Sequence, residues 1–281
     1  MSVLTGFLGP QVSRTIHVSG FSRISLDGIG TIKVVPSDEE RIEVSAPEKL
    51  ADRIEATVEG DVLHIRFERR LSLQNVGKLD IVYKVYTRQL SGLNISGAGR
   101  IECPRLEGQS MKVSIDGAGK AIIDEIDGQD LRFSVDGAGK VAAHTITLQS
   151  CVLSIDGAGK LEADNLHVQN LRIRVDGAGR VESRRITAQD IDARIDGAGS
   201  IHAGGTAGNV DIDINGMGKV RMEDLKTKTA RVDIDGTGKV ELSPTESLDV
   251  TIDGFGKVAY RGHPAVHVRR AGFGKVVSLD E

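Results

Sequence analysis

Asp116-Gly117-Ala118-Gly119-Lys120 decides the reading of this chain, because it keeps coming back. Copies stand at Asp136–Lys140, Asp156–Lys160, Asp176–Arg180 and Asp196–Ser200, each 20 residues after the last. Looser copies follow at Asn215–Lys219, Asp235–Lys239, Asp253–Lys257 and Ala271–Lys275. One copy precedes them at Ser96–Arg100, and a further one stands apart at Asp27-Gly28-Ile29-Gly30. A fixed period over most of a chain marks an architecture of stacked repeats.

Aligned on this turn, the coils show apolar columns. The residue before the Asp reads Ile115, Val135, Ile155, Val175, Ile195; two earlier it reads Val113, Phe133, Leu153, Ile173, Ala193. Two earlier again come Met111, Leu131, Cys151, Leu171 and Ile191, and after the turn come Ala121, Val141, Leu161, Val181 and Ile201. The residues between are mostly polar. Period-two alternation inside a period of 20 gives short strands with one buried face. Helical repeats would need long stretches of 3.6 periodicity, and propeller blades about 40 residues each. At about 3.3 Å per strand residue a 20-residue coil has a contour on the order of 65 Å, enough for three short faces around a thin core. The expected fold is all-β: a right-handed parallel β-helix (β-solenoid), the hand following from crossover chirality. Some ten coils at about 4.8 Å would make a rod on the order of 50 Å long.

Residues 1–13 read as an N-terminal arm, 14–90 as an N-terminal β region capping the solenoid, and 91–281 as the β-helix. Within the β region, alternation predicts strands at Arg14–Gly20, Phe21–Leu26, Thr31–Val35, Arg41–Ser45 and Leu79–Tyr86. Pro47–Arg53 predicts a helical turn. Ile54–Glu59 and Val62–Glu68 flank Gly60-Asp61 as a hairpin, and Leu71–Lys78 reads as a polar loop.

Composition narrows the function. The chain has 34 Gly, no Trp and only 3% aromatic residues, so the core must be aliphatic and stacking platforms for sugars or bases are scarce. The net charge of −4 is spread without a basic block, which argues against nucleic acid. No apolar run reaches the length of a membrane span. Met1–Pro10 lacks the basic and apolar regions of a secretory signal, so the sequence as it stands reads as cytoplasmic. Cys103 and Cys151 sit at apolar positions and read as small core residues.

In the repeated turn, glycine permits positive φ where the chain bends, and the Asp is suited to an Asx-turn. Asp116, Asp136, Asp156, Asp176 and Asp196 should form one column of like charges, a weak candidate for Ca²⁺. The basic residues four positions on, Lys120, Lys140, Lys160 and Arg180, would neutralise that column without metal, and no cofactor is expected. Gln109, Gln129, Gln149, Gln169, Gln189 and Asn209 read as a ladder of stacked amides. Asp124, His144, Asp164 and Arg184 read as a solvated row of alternating charge. His263 and His267 are not in a helical context, no Gly-x-Gly opens a helix as a phosphate loop does, and no Ser, His and Asp form a catalytic constellation.

The pattern from Val18 to Gly30, with Leu50-Ala51-Asp52-Arg53-Ile54, Val62-Leu63-His64-Ile65 and the Gly-Ala-Gly coils, resembles the putative auto-transporter adhesin, head GIN domain family. The resemblance covers nearly the whole chain. It implies a right-handed β-helix, a bacterial origin and a place in the cell envelope, and it offers no catalytic residues.

Three readings of function follow. The first is a non-enzymatic, adhesin-like interaction module. In its last coils the turn residue grows from Ala198 to Met217, Thr237, Phe255 and Phe273, and the apolar stretch Val276-Val277 follows. Phe255, Phe273, Val276 and Val277 would then anchor self-association into a homo-oligomer or polymer. The second is a cytoplasmic polymerising scaffold of the kind bactofilins exemplify. The third is a β-helix that binds or cleaves polysaccharide, against which the missing Trp and the monotonous faces weigh.

Overall fold

A computed structural model of the chain describes residues 8–67 and 80–280. The first seven residues of the expected arm and the expected loop Leu71–Lys78 lie outside them. The described residues form a β-solenoid. Its body is a stack of long, in-register parallel strands: β9 (Arg100–Gly117), β10 (Lys120–Gly137), β11 (Lys140–Gly157), β12 (Lys160–Gly177), β13 (Arg180–Gly197), β14 (Ser200–Gly216), β15 (Lys219–Gly236) and β16 (Lys239–Gly254). Each strand is one coil, longer than the short strands the alternation suggests, because the backbone keeps pairing through the bends. The ladder between β10 and β11 skips only Asp124, Gly128 and Gln129 before it reaches the Gly-Ala-Gly corner. These interruptions divide the coil into three sides. In β10 two or more successive exposed or half-buried residues mark the bends, and strict alternation returns between them.

Each coil sends its apolar set inward. In β10 these are Ala121, Ile123, Ile126, Leu131, Phe133 and Val135, none more than 2% exposed. The coil spacing stacks each on its counterparts above and below, so the core is one aliphatic column.

The two glycines of the corner serve different needs. Gly157 has φ +111°, and a Cβ there would stand 2.8 Å from the Gly137 carbonyl oxygen of the coil before. Gly159 faces inward, where a Cβ would meet Val135 Cγ1 at 2.5 Å. Ala158 between them points out, and its N–H donates to the Gly137 oxygen at 2.8 Å.

The isolated Asp27–Gly30 turn belongs to this stack. β2 (Arg23–Gly28) pairs in parallel with β8 (Gly92–Gly97), and β3 (Thr31–Pro36) with the start of β9. The Ala98 and Arg100 N–H groups donate to the Gly28 and Gly30 oxygens at 3.1 and 2.8 Å. Beyond this layer the sheet splits into two wings. On one side β3 continues into β7 (Val82–Thr87), β4 (Arg41–Pro47) and β1 (Gln11–His17), the last two pairings antiparallel. On the other, β2 continues into β6 (Val62–Phe67) and its hairpin partner β5 (Ile54–Glu59). A one-turn helix, α1 (Glu48–Ala51), joins β4 to β5 and buries Leu50 and Ala51. The wings close the N-terminal end: Ile42, Val44, Leu63, Ile65, Tyr83 and Val85 are all fully buried. β1 begins at Gln11, inside the stretch expected to be an arm, because it finds an edge of β4 to pair with. The hairpin register is held by Asp61, which takes bonds from Arg23 Nε at 2.9 Å and Ser22 Oγ at 3.0 Å. The Arg23 hydrogen bond lowers the Asp61 carboxyl to about 2.

Cys103 and Cys151 are free and buried, as their apolar columns imply. Burial pushes the Cys103 thiol up to about 12 and Cys151 higher still. Thiol titration with Ellman's reagent at about pH 8 should find both silent in the folded protein and both reactive once it is unfolded. The expected suppression is on the order of a thousandfold, because the thiolate is the nucleophile. Prompt reaction of either would mean that the core opens at its coil.

Candidate functional site

The corner column is built otherwise than the sequence suggests. Asp116, Asp136, Asp156, Asp176 and Asp196 do stack in register, and all are exposed. They form no Asx-turns. The N–H an Asx-turn would use, that of Ala118, already donates to the Gly97 oxygen of the coil before, at 2.9 Å. Nor do the basic residues neutralise the column, since the corner puts them on the next side of the rod. There they pair with glutamates of their own coil or the next: Lys160 with Glu162 two residues on at 2.7 Å, and, one coil further, Lys140 with Glu162 at 2.6 Å and Lys160 with Glu182 at 2.8 Å. Desolvation works against the Glu162 charge, but the hydrogen bonds from both lysines prevail and lower its pKa. Among the described residues, no three Asp, Glu, His or Cys side chains converge as a metal site would require.

The amide ladder is also absent. Gln109, Gln129, Gln149, Gln169 and Gln189 are exposed, and none bonds the next. Asn209 is not in their column at all. A bulge between Ser183 and Ile186 shifts the register, so Asn209 pairs with Asp190. The charged row behaves as expected: His144 Nδ1 lies 2.8 Å from Asp164, and Arg184 3.3 Å from it.

Two surfaces stand out. The first is the last coil. It is broken into β17 (Lys257–Tyr260) and β18 (Ala265–Arg270), and β19 (Lys275–Ser278) opens a further, partial turn stacked on β17. β18 pairs only with β16, and β19 only with β17, so among the described residues one edge of each is uncovered. Val266, Val268, Val276 and Val277 are only half-buried, unlike their counterparts one coil in. On the corner, Phe255 and Phe273 stack with ring centroids 5.6 Å apart and planes 17° from parallel. The rings are 66% and 79% exposed, a large apolar area left in water. The sequence-predicted anchors are thus brought together at one end of the rod.

The second surface was not anticipated. A trough of about 570 Å³ runs along the long side of the rod over β11 to β16. One wall is the column Ser150, Asn170, Asp190, Asn209, Thr229 and Ser247, paired in register. The other carries Arg172, Asp192, Asp211, Arg231 and Asp249. Asn209 Nδ2 donates to Asp190 Oδ1 at 2.7 Å, and Thr229 Oγ1 donates to Asn209 Oδ1 at 2.8 Å. Arg172 and Arg194 hold Asp192 from two sides, each at 3.3 Å. The signal was present in the column preceding Cys151, Leu171 and Ile191. The short coil before Asn209 hid it by placing Asn209 beside the glutamines.

The comparisons with known proteins agree with the fold. No curated protein matches the chain. Among solved structures, a putative adhesin from Parabacteroides distasonis superposes with a TM-score of 0.56 at 20% identity, over 96% of this chain and 98% of that one. A putative adhesin from Parabacteroides merdae gives 0.56 at 18% identity, over 96% and 97%. A protein from Parabacteroides distasonis described as a putative lipid binding protein gives 0.51 at 21% identity, over 96% and 97%. At these identities the likeness is one of fold. The family model named "Putative auto-transporter adhesin, head GIN domain" matches residues 20–185 and 152–264, most of the solenoid and its N-terminal layer. The chain belongs to that family.

Proposed function

We propose that this chain is a non-enzymatic, adhesin-like interaction module that self-associates through its last coil, two copies meeting edge to edge. The observation that carries this reading is the coincidence at one end of uncovered strand edges with exposed, stacked phenylalanines. An unpaired strand edge is a template for another strand. β18 and β19 offer their free N–H and C=O groups in the same place as Val276, Val277 and Phe273, so pairing and apolar burial reinforce one another. A two-fold axis would set each strand antiparallel to its own copy, the commonest closed symmetry. An open head-to-tail polymer is disfavoured, because the N-terminal end is covered by the two wings and α1.

Sedimentation of the full chain should show a dimer that dissociates on dilution. Phe273→Asp should weaken it about thirtyfold or more, the weight of an interface hot spot. The exposed ring contributes little to the fold, so the melting temperature should hold. A strictly monomeric wild-type protein at high concentration, or a dimer indifferent to Phe273→Asp, sinks the reading.

A further inference from the structure

We propose that the axial trough over β11 to β16 holds a linear, hydroxyl-rich glycan chain, neutral or amino-bearing, lying along the rod. The inference is independent of self-association, since it rests on the outward side chains of β11 to β16 and not on the uncovered edges of β18 and β19.

Shape is the first argument. Six successive coils line the trough, and five steps at about 4.8 Å make it on the order of 24 Å long. Only an extended chain fits such a shape along its length. Chemistry is the second. Every level presents a short hydrogen-bonding side chain, from Ser150 through Asn170 to Ser247. Along this wall Asp190, Asn209 and Thr229 are fixed by bonds to one another, so they are set in place before any ligand arrives. Ser150, Asn170 and Ser247 spend their side chains on no other described residue. By contrast, on the side carrying Lys160, Glu162 and Glu182 the long charged chains are spent on one another in ion pairs.

Other occupants fit less well. A peptide adding as a strand needs free backbone groups, but the trough strands are paired on both flanks by the coils above and below. A lipid needs apolar area, but Leu171, Ile191 and Val210 beneath the trough are buried in the core. A polyanion meets Asp190, Asp192, Asp211 and Asp249 against only Arg172 and Arg231. Hydroxyl groups both donate and accept, which matches a wall of Ser, Thr, Asn and Asp, and amino groups suit the acidic balance. Recognition by sugar edges in place of sugar faces also removes the need for the tryptophan that the chain lacks.

Calorimetric titration of the full chain with chitohexaose, its deacetylated glucosamine hexamer, a galacturonate hexamer and a lysine-rich decapeptide tests this. The first two should bind, and each should bind at least about tenfold more tightly than its disaccharide, because one disaccharide spans only part of the trough. Asn170→Ala with Asn209→Ala should weaken both at least tenfold, with circular dichroism and melting unchanged, while Phe273→Asp leaves the affinity per chain as it was. The proposal is overturned if no saccharide binds, if the galacturonate binds as well as the others, if only the peptide binds, or if the double variant binds like wild type. Asp211→Asn offers a second reading if the double variant does not fold: it should selectively weaken the glucosamine hexamer.

Discussion

Phe133→Ala should cost about 3–5 kcal/mol of stability, the range for deleting a buried aromatic ring. Phe133 is fully buried and is the largest inward side chain of its coil. It is paired in register with Val113 below and Leu153 above, so both neighbouring coils lose contacts at once. Stability in a stacked array is roughly the sum of each repeat and its interfaces with its neighbours. A cavity in a coil packed between two others therefore weakens two interfaces, and the loss should be near the top of the range. Urea unfolding followed by far-UV circular dichroism measures it. A loss under about 1 kcal/mol would mean that the core collapses readily around the missing ring, contrary to a close-packed column.

Gly157→Ala should cost about 3 kcal/mol although it adds a single methyl group to an edge of the rod. The added Cβ must take up φ +111° and stand 2.8 Å from the Gly137 carbonyl oxygen, which is backbone and cannot swing away. That same oxygen accepts the Ala158 N–H bond joining the two corners, so relieving the clash breaks the bond. Ala158→Met is the matched control. It lies in the column that already holds Met217 and Phe255, points to solvent, and should change stability by less than about 0.5 kcal/mol. If the two variants melt alike, the corner is not held as described.

The period of 20 and the apolar columns made the solenoid legible, because every inward position repeats and each coil tests the others. The N-terminal strands were legible for the same reason, their alternation being strict. What the sequence concealed was where outward side chains would find partners. Lys160 was expected to serve the Asp column, but whether a lysine meets an Asp before the corner or a Glu after it depends on which side of the rod each faces. Asn209 was misplaced because a bulge absorbs one residue, and a bulge leaves no mark in the apolar columns. The exposed pair Phe255 and Phe273 was legible as a departure from Ala in an otherwise uniform column. The trough was not, because it is made of ordinary small polar residues whose meaning lies in their alignment.

The seating of Asp27–Gly30 on Ser96–Arg100 bears on the order in which the molecule can assemble. Successive corners of the body close loops of 18 to 20 residues, whereas Gly28 meets Gly97 across 69. By the logarithmic dependence of loop closure on length, that one closure costs about 1 kcal/mol more than any other in the stack. It is recovered only after the two wings between those residues have formed. By this count the layer of Asp27–Gly30, though it precedes its partner in the chain, should seat later than the regular coils. The regular coils zip from neighbour to neighbour with low contact order, and the finished stack supplies the platform on which its own beginning is laid.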